Sequence, residues 1–199
     1  MNSLCEIITN LAISVLGSAI TMYIAYIWKF RRLIQKSHFR NQEDAEKMIL
    51  SDIKRSKTLR VYAMCGSTFS NVNESEIAKQ VYVDKNLKQQ YLVSEEENVN
   101  IQKRQEELPK GANDLKEKVR KSLNDFKSAM QVNNNITIRL HRKKVGFRLI
   151  LLDDCLYLSQ QENGKYGKDT EMQRIPFGTP AYINFSDFFD ENWNDANCL

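Results

Sequence analysis

The longest hydrophobic segment of the chain lies near its N-terminus, where the 22 residues 7–28 contain no charged side chain. A helix of this length rises about 33 Å, which matches the hydrocarbon core of a bilayer. Five basic residues follow directly, with no acidic residue among them: Lys29, Arg31, Arg32, Lys36 and Arg40. The pattern predicts a single transmembrane helix with its N-terminus outside, because the basic flank stays in the cytoplasm. A cleaved signal peptide is disfavoured, since its charges precede the apolar segment.

Small and polar residues recur along one face of this predicted helix, namely Asn10, Ser14, Gly17, Ser18 and Thr21. Such a face lets two helices approach closely and hydrogen-bond, which gives the hypothesis of self-association in the membrane. The alternative is that the hydroxyl groups bond back to the carbonyls of their own helix. Both interpretations stay open at this level.

After residue 40 the hydrophobic pattern alternates between helical and extended periods. Helices are predicted over residues 41–56, 73–88, 111–130 and 185–196, the third with apolar residues at intervals of three and four. Strands are predicted over residues 58–65, 90–94, 136–141, 147–152 and 155–159. Residues 95–109 are charged and show no clear period. Helices interleaved with strands predict an α/β fold with a mixed sheet covered by helices.

Composition divides the chain into a membrane anchor (1–30), a basic juxtamembrane segment (31–40) and one cytoplasmic α/β domain (41–199), which has enough residues for a single core. The formal net charge of +4 owes much to the juxtamembrane segment, whose basic residues suit anionic lipid head groups. The lipid bilayer is therefore an expected partner, and nucleic acid is not. Four scattered cysteines and two histidines indicate neither a disulfide framework nor a zinc site, and no metal or other cofactor is expected.

One short motif suggests chemistry. Gly146, Phe147 and Arg148, followed after four residues by Asp153, have the layout of the H-x-K-x4-D motif. Together with the surrounding segments over residues 41–196, this resembles the small single-domain members of the phospholipase D superfamily. The resemblance implies an α/β/α sandwich, a nucleophilic histidine and a phosphate-holding lysine. Gly146 stands at the position of the nucleophile and Arg148 at that of the lysine, so we expect catalysis to be lost and phosphate binding to be retained.

The candidate phosphate-binding residues are Arg139, His141, Arg148, Ser67, Thr68 and Asn163. Arg139 and His141 share a strand face, and we expect Arg148 to begin the next strand beside them. Ser67 and Thr68 follow a strand end, where ligands of open α/β sheets gather, and Asn163 matches the asparagine of the resembled motif. The alternatives are a solvated hairpin loop for the basic residues and an ordinary turn after Gly66.

These features predict a non-catalytic sensor or effector in the cell inner membrane, of the kind used in bacterial signalling and antiviral defence. Its cytoplasmic domain would bind a phosphorylated small molecule, such as a cyclic nucleotide messenger, and signal to the transmembrane helix of a homo-oligomer. One alternative is a membrane-bound homodimeric phosphodiesterase or nuclease of the phospholipase D type, with His141 replacing the missing nucleophile. The other is a module that docks a protein through the acidic segment 187–195.

Overall fold

The computed structural model describes residues 17–18, 20–23, 37–109, 111 and 114–199. The chain divides into two compact units, residues 1–36 and residues 37–199. The second unit contains the α/β fold, and each unit is considered by itself below.

In the first unit, the described residues between positions 17 and 23 are helical. No helix in the described part of the chain is long and apolar enough to cross a membrane. The predicted transmembrane helix over residues 7–28 is corrected on this finding, and the rest of that segment lies outside the described residues. The inner-membrane location, the external N-terminus and the lipid bilayer as a partner depended on this helix and are corrected with it.

Two of the five residues of the predicted self-association face, Asn10 and Ser14, lie outside the described residues. The other three, Gly17, Ser18 and Thr21, belong to the described helical positions. There the Thr21 hydroxyl donates to the carbonyl oxygen of Gly17 at 2.8 Å. This contact agrees with the alternative interpretation of the polar face, in which a hydroxyl bonds to a carbonyl of its own helix.

One mixed sheet of eight strands forms the centre of the second unit. Its strands are β1 (His38–Phe39), β2 (Thr58–Ala63), β3 (Lys88–Ser94), β4 (Ile136–His141), β5 (Phe147–Leu152), β6 (Cys155–Gln160), β7 (Met172–Pro176) and β8 (Asn197–Cys198). They lie in the order β1-β7-β6-β5-β2-β3-β4-β8. β2, β3 and β4 are parallel, and every other neighbouring pair is antiparallel. The predicted α/β class and mixed sheet are confirmed, whereas β1, β7 and β8 were not predicted.

Six helices accompany the sheet: α1 (Gln42–Ile53), α2 (Ser67–Ser70), α3 (Glu76–Val83), α4 (Val99–Glu106), α5 (Leu115–Val132) and α6 (Pro180–Asp195). Side-chain oxygens cap the first turns of several of them, as at Asn41 for α1, Asp114 for α5 and Thr179 for α6. α4 lies in the segment whose sequence shows no period, and α6 begins five residues before the predicted closing helix.

The two faces of the sheet pack against different helices, because successive side chains of a strand point to opposite faces. Tyr62 packs on Phe188 of α6, with ring centroids 5.2 Å apart. On the other face, Tyr91 of β3 packs on Phe126 of α5 at 4.6 Å, and Tyr157 of β6 bonds to Asp52 of α1. The sheet therefore separates a layer containing α1 and α5 from a layer containing α6.

A buried polar cluster fixes the C-terminal end of α1 to the sheet. The Asp52 carboxylate accepts hydrogen bonds from Tyr157 Oη at 2.6 Å, Arg174 Nε at 2.7 Å and Cys155 Sγ at 3.2 Å. Burial acts to raise the pKa of Asp52, but the hydrogen bonds and charge of its partners outweigh that effect and hold the pKa below its ordinary value. With one end of α1 anchored in this way, its first residue, Gln42, is held over the opposite end of the sheet.

Candidate anion site

A cavity of about 860 Å³ opens where β2 ends and β5 begins. These two ends coincide because β2 and β5 are antiparallel neighbours. Three polar side chains from separate elements meet in the cavity: Gln42 at the start of α1, Thr68 in α2 and Arg148 at the start of β5. A cavity of this size lies in the range that proteins use for small-molecule ligands.

Arg148 is the most distinctive of the three. Its Nη1 donates to Gln42 Oε1 at 2.5 Å, while its Nε and Nη2 atoms are buried and have no hydrogen-bond partner. Among the described residues, no carboxylate lies within ion-pair distance of this guanidinium. Burial lowers the pKa of Arg148 to about 10, so the group still carries its positive charge at neutral pH.

A buried charge with open donors is unusual, since each unsatisfied buried polar group costs about 1–3 kcal/mol. The guanidinium presents its nitrogens in a rigid planar fork that matches the oxygens of a phosphate or carboxylate. Arg148 lines the cavity, so an oxyanion bound there would supply the missing negative charge, and it would reach the Nε and Nη2 donors once the groups packed over them move. The arrangement around Arg148 is therefore suited to bind an anion.

Gly66 shapes the wall of the cavity beside Thr68. It follows β2 with a φ of 72°, a left-handed conformation that glycine adopts without steric cost. A Cβ atom at this position would lie 2.9 Å from Phe126 Cε2. The tight turn leads directly into α2, so that Ser67 and Thr68 line the cavity and Thr68 Oγ1 donates to Gln42 Oε1 at 3.1 Å.

The remaining walls carry charges of both signs. Arg104 is already engaged, since it pairs with Glu107 at 2.8 Å and donates to two backbone carbonyls. Lys118 Nζ lies 4.4 Å from the ring centroid of Tyr166. The other charged residues of the wall are Lys121, Lys168, Glu43, Glu46, Glu74, Asp114, Glu117, Asp125 and Asp169. Among the described residues of the wall, carboxylates outnumber the cations other than Arg148 by seven to four, so the attraction of an anion to this cavity depends on Arg148.

Arg139 and His141 lie elsewhere. Arg139 Nη1 donates to the carbonyl oxygen of Trp193 at 2.5 Å, and its guanidinium stacks over the Trp193 ring. His141 stacks on Tyr62 at 4.9 Å. Both residues thus belong to the face covered by α6, and β3 and β2 separate their strand from β5. The expectation that Arg148 lies beside them is wrong, because hydrophobic spacing does not encode the order of strands.

His141 is also buried away from Arg148. Only 5% of the residue is exposed, and burial lowers its pKa to about 4 against the opposing effect of the Ala63 and Lys143 backbone, so the imidazole is neutral at neutral pH. It lines a different cavity of about 430 Å³, together with Glu95 and Asn192. It therefore cannot serve a ligand held at Arg148.

The other two motif residues do not converge on Arg148 either. Asn163 is exposed in the loop after β6 and lines neither cavity. Asp153 follows the opposite end of β5, roughly 16 Å along the strand from Arg148. There its carboxylate accepts hydrogen bonds from the Lys57 backbone N–H at 2.6 Å and from the Thr58 hydroxyl. These contacts assign Asp153 to the support of a turn.

The Arg148 cavity lacks an activated nucleophile among the described residues. No imidazole lines it. Burial raises the pKa of the Cys65 thiol to about 12, against the opposing charge of Lys118, so the thiol stays protonated at neutral pH. Gln42 is the site residue that sequence analysis missed, since nothing distinguishes it from any other polar residue in the first turn of a helix.

No protein-family model and no curated protein matches the chain. Its fold is similar to the solved structure of TrmBL2, an archaeal chromatin protein described as showing a novel mode of DNA binding. The TM-score is 0.49 and the sequence identity is 14%. The similarity covers 92% of this chain and 64% of that chain, so this chain spans less than two thirds of the length of TrmBL2.

These findings correct two expectations. The resemblance to the phospholipase D superfamily is corrected, because no family model matches the chain. The expectation that nucleic acid is not a partner is corrected as well: DNA binding is described for TrmBL2, and it is stated here of TrmBL2 alone.

Proposed function

We propose that residues 37–199 form a non-catalytic receptor for a small molecule that carries a phosphate group, with Arg148 as the phosphate ligand. The observation that carries this proposal is the buried guanidinium of Arg148, which has two open nitrogen donors and no acidic partner among the described residues.

Three further features support the proposal. The planar fork of Arg148 fits two phosphate oxygens at once. The hydroxyls of Ser67 and Thr68 line the same cavity and add donors for a third oxygen. The neutral Cys65 thiol and the absence of a lining imidazole among the described residues favour binding without turnover.

The test is a thermal-shift and calorimetric titration of the full chain with inorganic phosphate, mononucleotides, cyclic nucleotides and matched carboxylates. A ligand at a hundredfold excess over its Kd stabilises the folded protein by about 2.7 kcal/mol. We expect this stabilisation from a phosphate-bearing member of the panel, and we expect Arg148→Gln to abolish it. Arg139→Gln is the matched control, because Arg139 lies on the other face of the sheet and its loss leaves the cavity unchanged.

Three results would contradict the proposal. Full binding by Arg148→Gln would remove Arg148 from the site. Binding of carboxylates alone would reject phosphate as the ligand group. Arg148-dependent binding of a single-stranded oligonucleotide, with no binding of mononucleotides, would replace the small-molecule ligand by nucleic acid.

A further inference from the structure

Gln42 holds the position that matters most for a ligand of Arg148. Its Oε1 atom accepts hydrogen bonds from both Arg148 Nη1 at 2.5 Å and Thr68 Oγ1 at 3.1 Å. The Gln42 amide must turn its oxygen, and not its nitrogen, toward Arg148, because a guanidinium has only hydrogen-bond donors. One neutral oxygen thus receives hydrogen bonds from two of the groups that would hold an anion.

Gln42 satisfies Arg148 only in part. As an uncharged acceptor it contacts one of the three guanidinium nitrogens and leaves the charge and the Nε and Nη2 donors without a partner. A phosphate oxygen in the same place would accept the same two hydrogen bonds and would bring the missing negative charge. The phosphate is therefore the better occupant of this position.

The side chain of Gln42 can leave without disturbing the fold. Its backbone N–H donates to the Lys168 carbonyl at 3.0 Å, which holds the start of α1 whatever the side chain does. With the described residues, the amide makes only the two hydrogen bonds at Oε1, so these two bonds are what its release breaks.

We infer that Gln42 is an internal substitute for the ligand, whose side-chain oxygen occupies the anion position and is displaced when a phosphate binds, so that Gln42 sets the affinity of the site. This inference rests on the proposed function and deepens it. It makes Gln42 a determinant of affinity and of charge preference, whereas Arg148 determines whether an anion binds at all.

The first test compares the binding of inorganic phosphate and AMP to the wild type, Gln42→Ala and Gln131→Ala. Removal of the competing oxygen is expected to tighten binding about tenfold, since the ligand no longer breaks a hydrogen bond to a charged group. Gln131 is exposed near the end of α5 and lines neither cavity, so the same substitution there should change the affinity by less than about threefold.

The second test needs no ligand. Gln42→Glu should pair fully with Arg148, raise Tm by roughly 3 °C or more and prevent phosphate binding. Because a carboxylate in the first turn also favours the helix dipole, the cycle of Gln42→Glu, Arg148→Gln and the double variant isolates the contact. The gain in Tm should disappear when Arg148 is absent.

The outcomes separate the two claims. If the wild type binds phosphate and Gln42→Ala binds it no more tightly, the inference is overturned and the proposed function stands. If Gln42→Glu shows the same gain in Tm with and without Arg148, the contact itself is refuted. If neither the wild type nor Gln42→Ala binds any member of the panel, the proposed function and the inference both fail.

Discussion

Arg174 and Arg148 both have buried guanidinium nitrogens, but their environments are opposite. Arg174 is 6% exposed and donates to the Asp52 carboxylate at 2.7 Å, so its charge is matched by a buried acid. Arg148 contacts only the neutral amide of Gln42 and leaves two nitrogens open. Because a fold can pair a buried arginine, as it does at Arg174, the absence of an acidic partner at Arg148 among the described residues supports the proposed function.

Substitution of Asp52 tests whether its ion pair with Arg174 stabilises the fold. Asp52→Asn leaves the Arg174 charge buried without a counterion, and we expect the free energy of unfolding to fall by about 3–5 kcal/mol in denaturant melts. Asp187→Asn, an exposed substitution on α6, should change it by less than about 0.5 kcal/mol. A loss below about 1 kcal/mol for Asp52→Asn would show that the Asp52 cluster does not stabilise the fold.

The Asp52 cluster also predicts a dependence of stability on pH. The pKa of Asp52 is lower in the folded state than in the unfolded chain, so its contribution is complete above the unfolded value of about 3.9. The contribution is lost as the pH falls through the lower, folded value. Acid unfolding curves of the wild type and Asp52→Asn should therefore converge below pH 4, and curves that stay parallel would contradict this assignment.

At the scale of elements, the site depends on how β2 ends. Gly66 turns the chain with a positive φ, and its Cα lies against the ring of Phe126 from α5. The turn both closes the core at this point and directs Ser67 and Thr68 into the cavity. One residue thus couples the packing of α5 to the geometry of the Arg148 cavity.

Gly66→Ala and Gly164→Ala form a matched pair. Both glycines have φ near 75°, at 72° and 78°, so each alanine incurs the same conformational cost of about 1–2 kcal/mol. An added Cβ has open space at Gly164, but at Gly66 it meets Phe126 at 2.9 Å. We expect Gly66→Ala to lose about 1–3 kcal/mol more than Gly164→Ala in thermal unfolding. Equal losses would contradict the close packing of Gly66.

The elements that the sequence predicted well are those with a strong internal pattern. α5 was visible through its apolar stripe, and the apolar run of β5 was predicted with the bounds that the structure shows. α4 was missed because Ile101 and Arg104 are its only buried residues, so its sequence shows no apolar stripe. β1 and β8 contain two residues each, too few for any alternation to appear.

At the scale of the whole molecule, the order of strands decided which candidate residues meet. The sequence predicted Arg148, Ser67 and Thr68 as phosphate-binding residues, and the structure places all three in one cavity, since strand ends can be located from a pattern. It grouped Arg139 and His141 with Arg148 because β4 and β5 are consecutive in the chain. In the sheet, β2 and β3 lie between β4 and β5. This order comes from pairing between distant parts of the chain, which leaves no signal in the local sequence. Gln42 reaches Arg148 by the same kind of long-range contact.

The central claim, that the open nitrogens of Arg148 bind a phosphate, is tested most directly by NMR of arginine side chains during a phosphate titration of the full chain. The Arg148 Nε–Hε resonance, assigned by its loss in Arg148→Lys, should shift on addition of phosphate and saturate with the Kd measured by calorimetry. The Nε of Arg139 is also buried without a partner but lies on the other face of the sheet, so its resonance should stay in place. A shift of Arg139 alone, or an Arg148 resonance that does not respond to saturating phosphate, would contradict the account.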